Sequence, residues 1–428
     1  MLPLSRFVRL PSFATQAQRS VTFPRGFVAA GVACGLKKKG KLDLGLLASL
    51  RPAVSAATFT SNAAAAAPVR LTRESACCDR LQAVVVNAGN ANACTGKQGL
   101  ADAARMRLLA AQRLRLPVEL VAVASTGMIG VPLDMDKVEP GIAAAAAAVK
   151  PGGGEHFSQA IRTTDSSPKR GAVELELADG LVRLGAAAKG CGMISPRMAT
   201  MLCFVTCDAA VGADDWRHML TSAVGESFNR ITVDGQESTN DMVVGFANGA
   251  SGVRLGERSL CQLAEALDAL LLALAVGMVA DGEGATKAVR LTVEGARDEG
   301  VAERVARAVA DSPLVKTAFF GRDANWGRVV QAAGQALGRN GRSAAAQAVG
   351  GSGAVGAAAT DVLYEDLAVV RGGRPVPLGE GEQERLADIM AQHEIDLRVG
   401  VSGGDAGVTI YFSDLTHDYV TLNAEYAT

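Results

Sequence analysis

The sequence has little net charge, few aromatic residues and no long apolar run, and each shortage excludes a class of protein. Its 428 residues carry a formal net charge of -1, so a nucleic-acid polymer is not an expected partner. The best apolar run, residues 269–280, is shorter than the roughly 20 residues of a membrane-spanning helix, which predicts a soluble protein without a membrane partner. Aromatic residues are 4% of the chain and hydrophobic residues 49%, so alanine, valine and leucine must build the core.

Histidine and paired cysteines are also scarce, which limits the metal and redox chemistry of the chain. Four histidines and eight cysteines are present, and no two cysteines form a CxxC pair. This pattern predicts reduced thiols in a reducing compartment, and neither a metal nor a resident cofactor. A zinc site built from Cys191, Cys203 and Cys207 is disfavoured by its spacing. Cys191 stays open as a catalytic thiol, although no base lies near it in the sequence.

One segment, residues 189–209 with the sequence KGCGMISPRMATMLCFVTCDA, combines structure-breaking residues with an isolated hydroxyl group. Gly190, Gly192 and Pro196 break regular structure. The apolar run that follows, residues 201–205, is typical of a strand buried on both faces. Thr200 therefore lies where a constrained loop enters a buried strand.

A threonine hydroxyl needs a neighbouring base before it acts as a nucleophile, and no histidine lies near Thr200 in the sequence. If the Ala199–Thr200 peptide bond breaks, the freed α-amino group of Thr200 supplies that base. The reference pKa of an α-amine is about 7.7–8.0, so the amine is partly neutral near pH 7. The alternative is that Thr200 merely begins a buried strand, with its hydroxyl bonded to the backbone.

Strands, glycine-containing loops and helices alternate along the first part of the chain. Residues 81–86 predict a strand that leads into NAGNANACTG and then a helix over residues 100–114, which indicates the α/β class. A second buried strand, residues 120–124, runs towards Thr126 and Gly127. Such a pair at a strand end presents a hydroxyl and a backbone N–H at one point, as an oxyanion hole requires, or it forms an ordinary turn.

Three further polar groups have both a structural and a functional interpretation. The Thr-Thr-Asp cluster that begins at Thr163 is either a cap or turn, or the lining of a polar pocket. Asn240 and Asp241 lie among turn residues whose spacing does not fit a calcium loop, so we interpret them as a packed loop around a site. Glu283, between two glycines after a helix predicted over residues 261–280, is either a functional carboxylate or a solvated loop acid.

The remaining chain gives two local predictions and one boundary. Alternating residues 173–177, an Asp179–Gly180 turn and a second strand over residues 181–184 predict a hairpin. The last residues, 413–428, have a strand-like middle. No repeat, linker or change in charge marks a hinge between domains, so the functional boundary is the Ala199–Thr200 bond.

Several motifs resemble those of one enzyme family and occur in the family's order. They are KGCGMISPRMATML, GFVAAGVACGLKKKGKLDL, NAGNANACTG, STGMIG, FNRITVDG followed by STND, DGEGATK, and SDLTHDYV through NAEYAT. From about residue 24 to residue 428, the sequence is similar to the ornithine acetyltransferase family, the bifunctional glutamate N-acetyltransferases of arginine biosynthesis. The resemblance implies an α/β fold in which layered sheets are sandwiched by helices, similar in layering to N-terminal-nucleophile hydrolases.

The same resemblance implies self-cleavage and a set of site residues. The cut between Ala199 and Thr200 would give an α chain, residues 24–199, and a β chain, residues 200–428, assembled as two α and two β chains. Thr200 matches the family's nucleophile, and Thr126 with Gly127 matches its oxyanion-hole pair. The family's substrate contacts fall on Thr163, Lys189, Thr200, Glu283, Asn423 and Thr428. A lysine suits an α-carboxylate, and a glutamate suits the ammonium group of ornithine.

The implied reaction moves an acetyl group from N2-acetyl-L-ornithine to L-glutamate by a ping-pong mechanism through acetyl-Thr200. A bifunctional member also acetylates glutamate from acetyl-CoA, which then enters as a substrate. Two alternatives stay open. One is an amidohydrolase in which water takes the acyl group, and the other is an uncleaved, non-catalytic amino-acid-binding protein.

The N-terminal segment, residues 1–23, carries Arg6, Arg9 and Arg19, no acidic residue, and apolar residues between the arginines. This pattern is typical of an organelle transit peptide, although a disordered basic tail has the same composition. It predicts a mitochondrial matrix protein, with the chloroplast as the alternative.

Overall fold

The computed structural model describes residues 5–195, 201–340 and 360–425, and these divide into two compact units. The first unit contains the described residues up to Asn229 together with Gln236–Asp281, and the second contains Arg230–Gly235 and the described residues from Gly282 onwards. The chain passes between the units within short turns, so no linker composition marks the boundaries.

Short strands and medium-length helices alternate in the first unit, as the sequence predicts. Its strands and helices are β1 (Ala14–Ala17), β2 (Phe27–Val32), β3 (Leu44–Ser49), β4 (Val54–Phe59), α1 (Ala67–Ser75), β5 (Ala83–Asn90), α2 (Gly96–Leu114), β6 (Val121–Met128), α3 (Met135–Ala148), α4 (Gly154–Ala160), β7 (Lys169–Leu177), β8 (Gly180–Lys189), β9 (Leu202–Cys207), α5 (Ala213–Glu226), β11 (Met242–Ala247) and α6 (Glu257–Ala280). The hairpin is confirmed as β7 and β8, which pair in antiparallel register.

Two sheets pack face to face in the first unit. One sheet has the order β1-β7-β8-β9-β11-β4 and the other the order β2-β3-β5-β6. Apolar side chains from both sheets, such as Val84 and Phe204, form the core between them. Helices α2 and α3 pack on the smaller sheet, and α5 and α6 pack on the larger one. The predicted α/β class, with layered sheets sandwiched by helices, is confirmed.

Strand β9 lies inside the larger sheet and explains the apolar run after Thr200. It pairs antiparallel with β8 and parallel with β11, and all its residues are buried. Phe204 faces the core between the sheets, whereas the opposite face of the sheet is covered by α5 and α6. A strand enclosed on both faces has no polar side, so its sequence is a continuous apolar run.

Helix α6 is longer than the sequence predicts, because it begins at Glu257. By length and composition it could cross a membrane, and it is the one such helix in the described parts of the chain. Within the protein, 67% of its most apolar window is buried. The apolar surface of the helix covers strands β7 and β8, as expected for the core helix of a layered fold.

The second unit is built around one mixed sheet. Its strands and helices are β10 (Ile231–Thr232), β12 (Ala288–Ala296), α7 (Glu299–Ala310), α8 (Pro313–Phe320), α9 (Trp326–Asn340), β13 (Asp361–Tyr364), β14 (Leu367–Arg371), β15 (Arg374–Pro375), α10 (Glu380–Ala391), β16 (Glu394–Gly400), β17 (Ala406–Ser413) and α11 (His417–Glu425). The strand order is β10-β17-β12-β16-β13-β14-β15. The core lies between this sheet and helices that include α7 and α9, with Val305 and Phe412 among its residues.

The strand-like middle predicted for residues 413–428 is wrong, because most of the described part is helix α11. The hydroxyl oxygen of Thr416 accepts a hydrogen bond from the Tyr419 N–H at 3.2 Å, the arrangement of a helix N-cap. Val420 and Leu422, whose alternation suggests a strand, are 60% and 51% exposed on the helix surface. A period of two in so short a segment does not distinguish a strand from a helix with an apolar exposed side.

Candidate functional site

Strands β5 and β6 run parallel and end together at the Thr126–Gly127 pair. Gly89 lies opposite Gly127 in the register, and the pairing becomes irregular after Gly89. Gly127 has a φ of 134°, and an added Cβ would lie 2.3 Å from the Gly89 carbonyl carbon. No other residue type fits this conformation and space, so the pair is a tight turn at the end of a buried strand.

Lys189 reaches this turn from the last position of β8. Its Nζ donates a hydrogen bond to the Thr126 Oγ1 at 3.3 Å. Both residues are almost fully buried, and the ammonium group has no carboxylate partner in the described part of the chain. Because no described carboxylate lies within ion-pair distance of Nζ, this group is suited to bind a carboxylate that comes from outside the protein.

Asp165 fixes the backbone beside Lys189. Its Oδ1 accepts hydrogen bonds from Lys169 Nζ at 2.7 Å and from the Gly190 N–H at 2.8 Å. Burial alone would raise the pKa of Asp165, but the charges of Lys169 and Lys189, with the Gly190 N–H, hold it well below the usual range. Lys169 also bonds to Asp281, and the pKa of its ammonium group is raised because two carboxylates outweigh its burial.

Thr163 joins the same network through its backbone. Its N–H donates to the Asp165 Oδ2 at 3.0 Å, so the Thr-Thr-Asp cluster is a turn that ends in a buried ion pair. Asp165 thus links Thr163 to the end of β8. The hypothesis that this cluster lines a substrate pocket stays a prediction.

A network of amide side chains holds the Thr126–Gly127 turn in place. Asn240 donates to the carbonyl oxygens of Ala91 at 2.7 Å and Ser125 at 2.9 Å. Asn87 accepts from the Ser125 hydroxyl at 2.6 Å. The loop before β11 is therefore bonded to the ends of β5 and β6, in agreement with the interpretation of Asn240 and Asp241 as a packed loop around a site.

Asp241 makes a second contact from the same loop. Its Oδ1 accepts the Met201 N–H at 2.9 Å, and the side chain is completely buried. Burial raises the pKa of this carboxyl well above its usual value, and the Met201 N–H, the charge of Lys189 and the Ser238 hydroxyl offset that effect only in part.

In the second unit, Glu283 and Asn423 lie together. Asn423 Nδ2 donates to the Glu283 Oε2 at 2.9 Å, although the two residues are 140 positions apart. Glu283 is half-buried, and both interpretations of it, a functional carboxylate or a solvated loop acid, stay predictions. Thr416 contributes to this geometry, because its hydroxyl donates to the Gly284 carbonyl oxygen at 2.7 Å.

The Cys191 thiol does not have the properties of a nucleophile. Burial and the nearby Asp165 charge raise its pKa to about 12, and its sulfur lies 3.0 Å from the Thr164 hydroxyl oxygen. Burial also raises the pKa of Cys203 and Cys207. Thiols held in the protonated form are neither nucleophiles nor metal ligands. In the described ranges, no three histidine, cysteine or acidic side chains are grouped closely enough to hold a metal ion.

Three of the predicted site residues lie outside the described residues. They are Ala199, Thr200 and Thr428. The structure brings Thr126, Gly127 and Lys189 together in the first unit, and it pairs Glu283 with Asn423 in the second.

Sequence reasoning missed the ion-pair partners Lys169 and Asp281. Their contacts join positions 112 residues apart, and only the 165/169 spacing gives a local signal. An acidic residue followed by a lysine four positions later usually indicates an exposed helical pair, and here it spans a turn and the start of a strand.

Comparisons with known proteins show to which family this chain is similar. The model of the ArgJ family matches residues 28–428. The arginine biosynthesis bifunctional protein ArgJ of Symbiobacterium thermophilum is 48% identical over 413 residues, covering 95% of this chain and 98% of that protein. The protein of the same name from Parasynechococcus marenigrum is 39% identical and covers 100% of both chains. A solved ornithine acetyltransferase of Mycobacterium tuberculosis, in complex with ornithine, is 40% identical over 43% of this chain and 98% of that chain, with a TM-score of 0.41.

Fold and site together define a layered α/β protein with a buried lysine beside a threonine-glycine turn. The chain belongs to the ArgJ family. The resemblance predicted from the motifs is thereby confirmed, as is the class, a bifunctional acyltransferase of arginine biosynthesis.

The predicted mitochondrial or chloroplast location is wrong, and the transit peptide has no support. The relatives are bacterial proteins, and the match to P. marenigrum includes the N-terminal segment. Residues 14–17 form β1, which pairs with β7, and Phe7 is buried. This packing explains one of the apolar residues between the arginines, Phe7.

Proposed function

We propose that this chain transfers an acetyl group from N2-acetyl-L-ornithine to L-glutamate through an acetyl-Thr200 intermediate. The observation that carries the proposal is the Lys189–Thr126 contact beside the Gly127 turn. It combines a buried cation for the α-carboxylate of either substrate with donors for the oxyanion of an acyl transfer. The ArgJ relatives and the ornithine complex of the M. tuberculosis enzyme support this choice of substrates.

In the proposed first step, the Thr200 oxygen attacks the acetyl carbonyl carbon of acetylornithine, and the free α-amine of Thr200 takes the hydroxyl proton. Thr126 and the Gly127 N–H stabilise the negative oxygen of the tetrahedral intermediate. The C–N bond then breaks, and ornithine leaves with the proton. In the second step, the glutamate amine attacks acetyl-Thr200 and the enzyme is regenerated.

The charges of the described residues fit the two amino acids. Lys189, in the first unit, suits an α-carboxylate. In the second unit, Glu283 with Asn423 suits an ammonium group. Thr163 and Thr428 complete the proposed substrate contacts. Acetyl-CoA is proposed as a second acetyl donor for glutamate, a substrate and not a resident cofactor.

This mechanism requires a free amine on Thr200, so we also propose self-cleavage of the Ala199–Thr200 bond and an assembly of two α and two β chains. Leu202 pairs with Lys189 across β8 and β9, so the residues just after the proposed cut are bonded to the strand that carries the lysine. The Met201 N–H is held by Asp241 on the other side. These contacts fix the backbone next to the proposed nucleophile, which supports the proposal.

The test is intact-mass spectrometry with N-terminal sequencing, followed by assay of the same preparation. We expect two fragments, one of them beginning at Thr200, and acetylglutamate from acetylornithine and glutamate. The Thr200→Ala variant should stay uncut and inactive, and Thr200→Ser should retain part of both activities. Acetyl transfer by the Ala variant would contradict the assignment of Thr200 as the nucleophile. Hydrolysis of acetylornithine at a rate that does not depend on glutamate would favour the amidohydrolase.

A further inference from the structure

A cavity lies beside the loop that joins β5 to α2, and the contacts proposed above for the two amino acids do not use it. Its volume is about 470 Å³, within the range of roughly 300–1,000 Å³ that is usual for small-molecule sites. Its lining comes from the segment that leads into α1, from α1 itself and from the start of α2, all within the first unit. A whole small molecule therefore fits inside one compact part of the fold.

The charged side chains that line the cavity are both cationic. Arg70 and Arg73 lie three positions apart in α1, so they are neighbours on one side of the helix. The lining, which consists of described residues only, contains no acidic side chain. Guanidinium groups present several N–H donors in a fixed plane and bind the oxygen atoms of phosphate and carboxylate groups. The cavity therefore favours an anionic ligand.

The two arginines are not held tightly by a carboxylate of the protein. The Glu74 carboxylate lies 3.9 Å from the Arg70 Nε and 3.6 Å from the Arg73 Nη2, longer than a normal N–H···O hydrogen bond. All three side chains are about half exposed, and ion pairs of this kind are weak. Both guanidinium groups can therefore turn towards a ligand at little cost.

The loop that lines the cavity is also bonded to the turn proposed as the oxyanion hole. The Ala91 N–H donates to the Met128 carbonyl oxygen at 2.8 Å, and the Gly130 N–H donates to the Ala93 carbonyl oxygen at 2.9 Å. The next residue along this loop, Cys94, lines the cavity. A ligand in the cavity thus contacts the same short loop that flanks the proposed reaction centre.

We propose that this cavity binds the phosphate groups of acetyl-CoA, the second acetyl donor. The inference rests on the proposed function and adds no chemical step to it. Acetyl-CoA carries its phosphates on a nucleotide and its acetyl thioester at the end of a long flexible arm, so its two ends bind in different places. It is the one proposed reactant with phosphate groups. Ala65, Ala67 and Leu100 give the cavity an apolar side, which suits the adenine ring.

The experiment measures glutamate acetylation by the full-length protein with three acetyl donors. They are acetyl-CoA, the phosphate-free thioester S-acetyl-N-acetylcysteamine, and acetylornithine. Arg70→Gln, Arg73→Gln and the double variant are compared with the unchanged protein. Arg113→Gln is the matched control, because it removes the same charge from an exposed position at the other end of α2.

We expect each single substitution to raise KM for acetyl-CoA about tenfold, the effect of losing one charge-assisted hydrogen bond, and the double substitution to raise it further. The KM values for the phosphate-free thioester and for acetylornithine should not change, whereas a merely structural role would alter all three. Glu74→Gln should lower KM for acetyl-CoA, because it removes the carboxylate that competes for both arginines.

Calorimetric titration with CoA and with inorganic phosphate tests binding without turnover. We expect CoA to bind the unchanged protein, and the double variant to bind it more weakly. Phosphate that binds as tightly as CoA would show a site for a free anion and overturn the proposal. So would a double variant with the KM for acetyl-CoA, or the affinity for CoA, of the Arg113→Gln control.

Failure of this proposal is distinguishable from failure of the proposed function. A protein that transfers acetyl groups from acetylornithine, but neither uses acetyl-CoA nor binds CoA, would overturn the cavity proposal alone. Absence of transfer from every donor would contradict the proposed function, and the titrations with CoA would then decide whether the cavity binds it.

Discussion

The Lys189 Nζ on strand β8 donates a hydrogen bond to the hydroxyl oxygen of Thr126 on strand β6, at a distance of 3.3 Å. The two strands belong to different sheets, and both side chains are buried. The two residues are 63 positions apart in the sequence. Their contact joins the strand that precedes the proposed cut to the turn proposed as the oxyanion hole. The first predictions follow from this pair.

Replacing Lys189 with methionine should impair substrates that carry an α-carboxylate. Loss of a charge-assisted hydrogen bond costs about 1.5–3 kcal/mol, so kcat/KM for acetylornithine should fall about 10- to 100-fold, mainly through KM. Hydrolysis of a simple acetyl ester without a carboxylate should change little. Steady-state kinetics with both substrates check this, with Lys97→Met on the exposed start of α2 as the control. Equal losses on both substrates would contradict the carboxylate role.

Replacing Gly127 with alanine should damage both stability and acetyl transfer. Its φ of 134° is strained for any side chain, and the new Cβ would collide with the Gly89 backbone. A strained backbone alone costs about 1–3 kcal/mol, so we expect denaturant unfolding to show a larger decrease in the free energy of unfolding here. Gly130→Ala is the matched control, because its φ is 83° and nothing lies within 4 Å of an added Cβ. Equal losses in the two variants would show that the contact with Gly89 does not matter.

Replacing Asp165 with asparagine should destabilise the protein by about 3 kcal/mol at neutral pH, because it leaves the buried Lys169 with one carboxylate fewer. The folded-state pKa of Asp165 is lowered, so its contribution is complete above the unfolded pKa of about 3.9 and is lost as the pH falls through the folded pKa. The difference between the two proteins should be constant near neutral pH and shrink below about pH 4.

Urea unfolding at several pH values measures this difference. Asp214→Asn removes an exposed carboxylate paired with Arg217 and should shift stability by no more than about 0.5 kcal/mol. A stability difference for Asp165→Asn that grows as the pH falls would have the wrong sign for a lowered pKa.

Cys191 should resist alkylation. Burial and the nearby Asp165 charge raise its pKa to about 12, so the thiol stays protonated at pH 8. Peptide mapping after brief iodoacetamide treatment should show modified Cys94 and Cys261, which are exposed, and unmodified Cys191. Cys191→Ala should still transfer acetyl groups. Loss of transfer with a normal fold would revive the catalytic-thiol hypothesis.

Local composition predicts those elements of the fold whose burial follows a regular pattern along the strand. Strand β9 is enclosed on both faces, so its apolar run is unmistakable, and the β7–β8 hairpin has alternation and an Asp179–Gly180 turn. Helix α11 cannot be predicted in this way because its apolar side chains face outwards, which removes the helical period that burial normally imposes. The two-unit division leaves no signal because its crossings lie in short turns.

The site could be predicted as residue types but not as contacts. The motifs name Lys189, Thr126 and Gly127, yet only the paired strands show that they meet. Asp165 and Asp241 act through backbone N–H groups, and a backbone partner leaves no signature in the sequence. Their pKa shifts have opposite directions because one carboxylate has cations beside it and the other has mainly burial.

The place of β9 between β8 and β11 determines in which order folding and the proposed cut can occur. A cut just before β9 would leave one sheet shared by two polypeptides, joined by the β8–β9 and β4–β11 ladders. Refolding would then require two chains to meet, so its rate would depend on concentration, whereas the uncut precursor folds as one chain. After the cut, unfolding would therefore be hard to reverse, because the sheet forms readily only in the uncut chain.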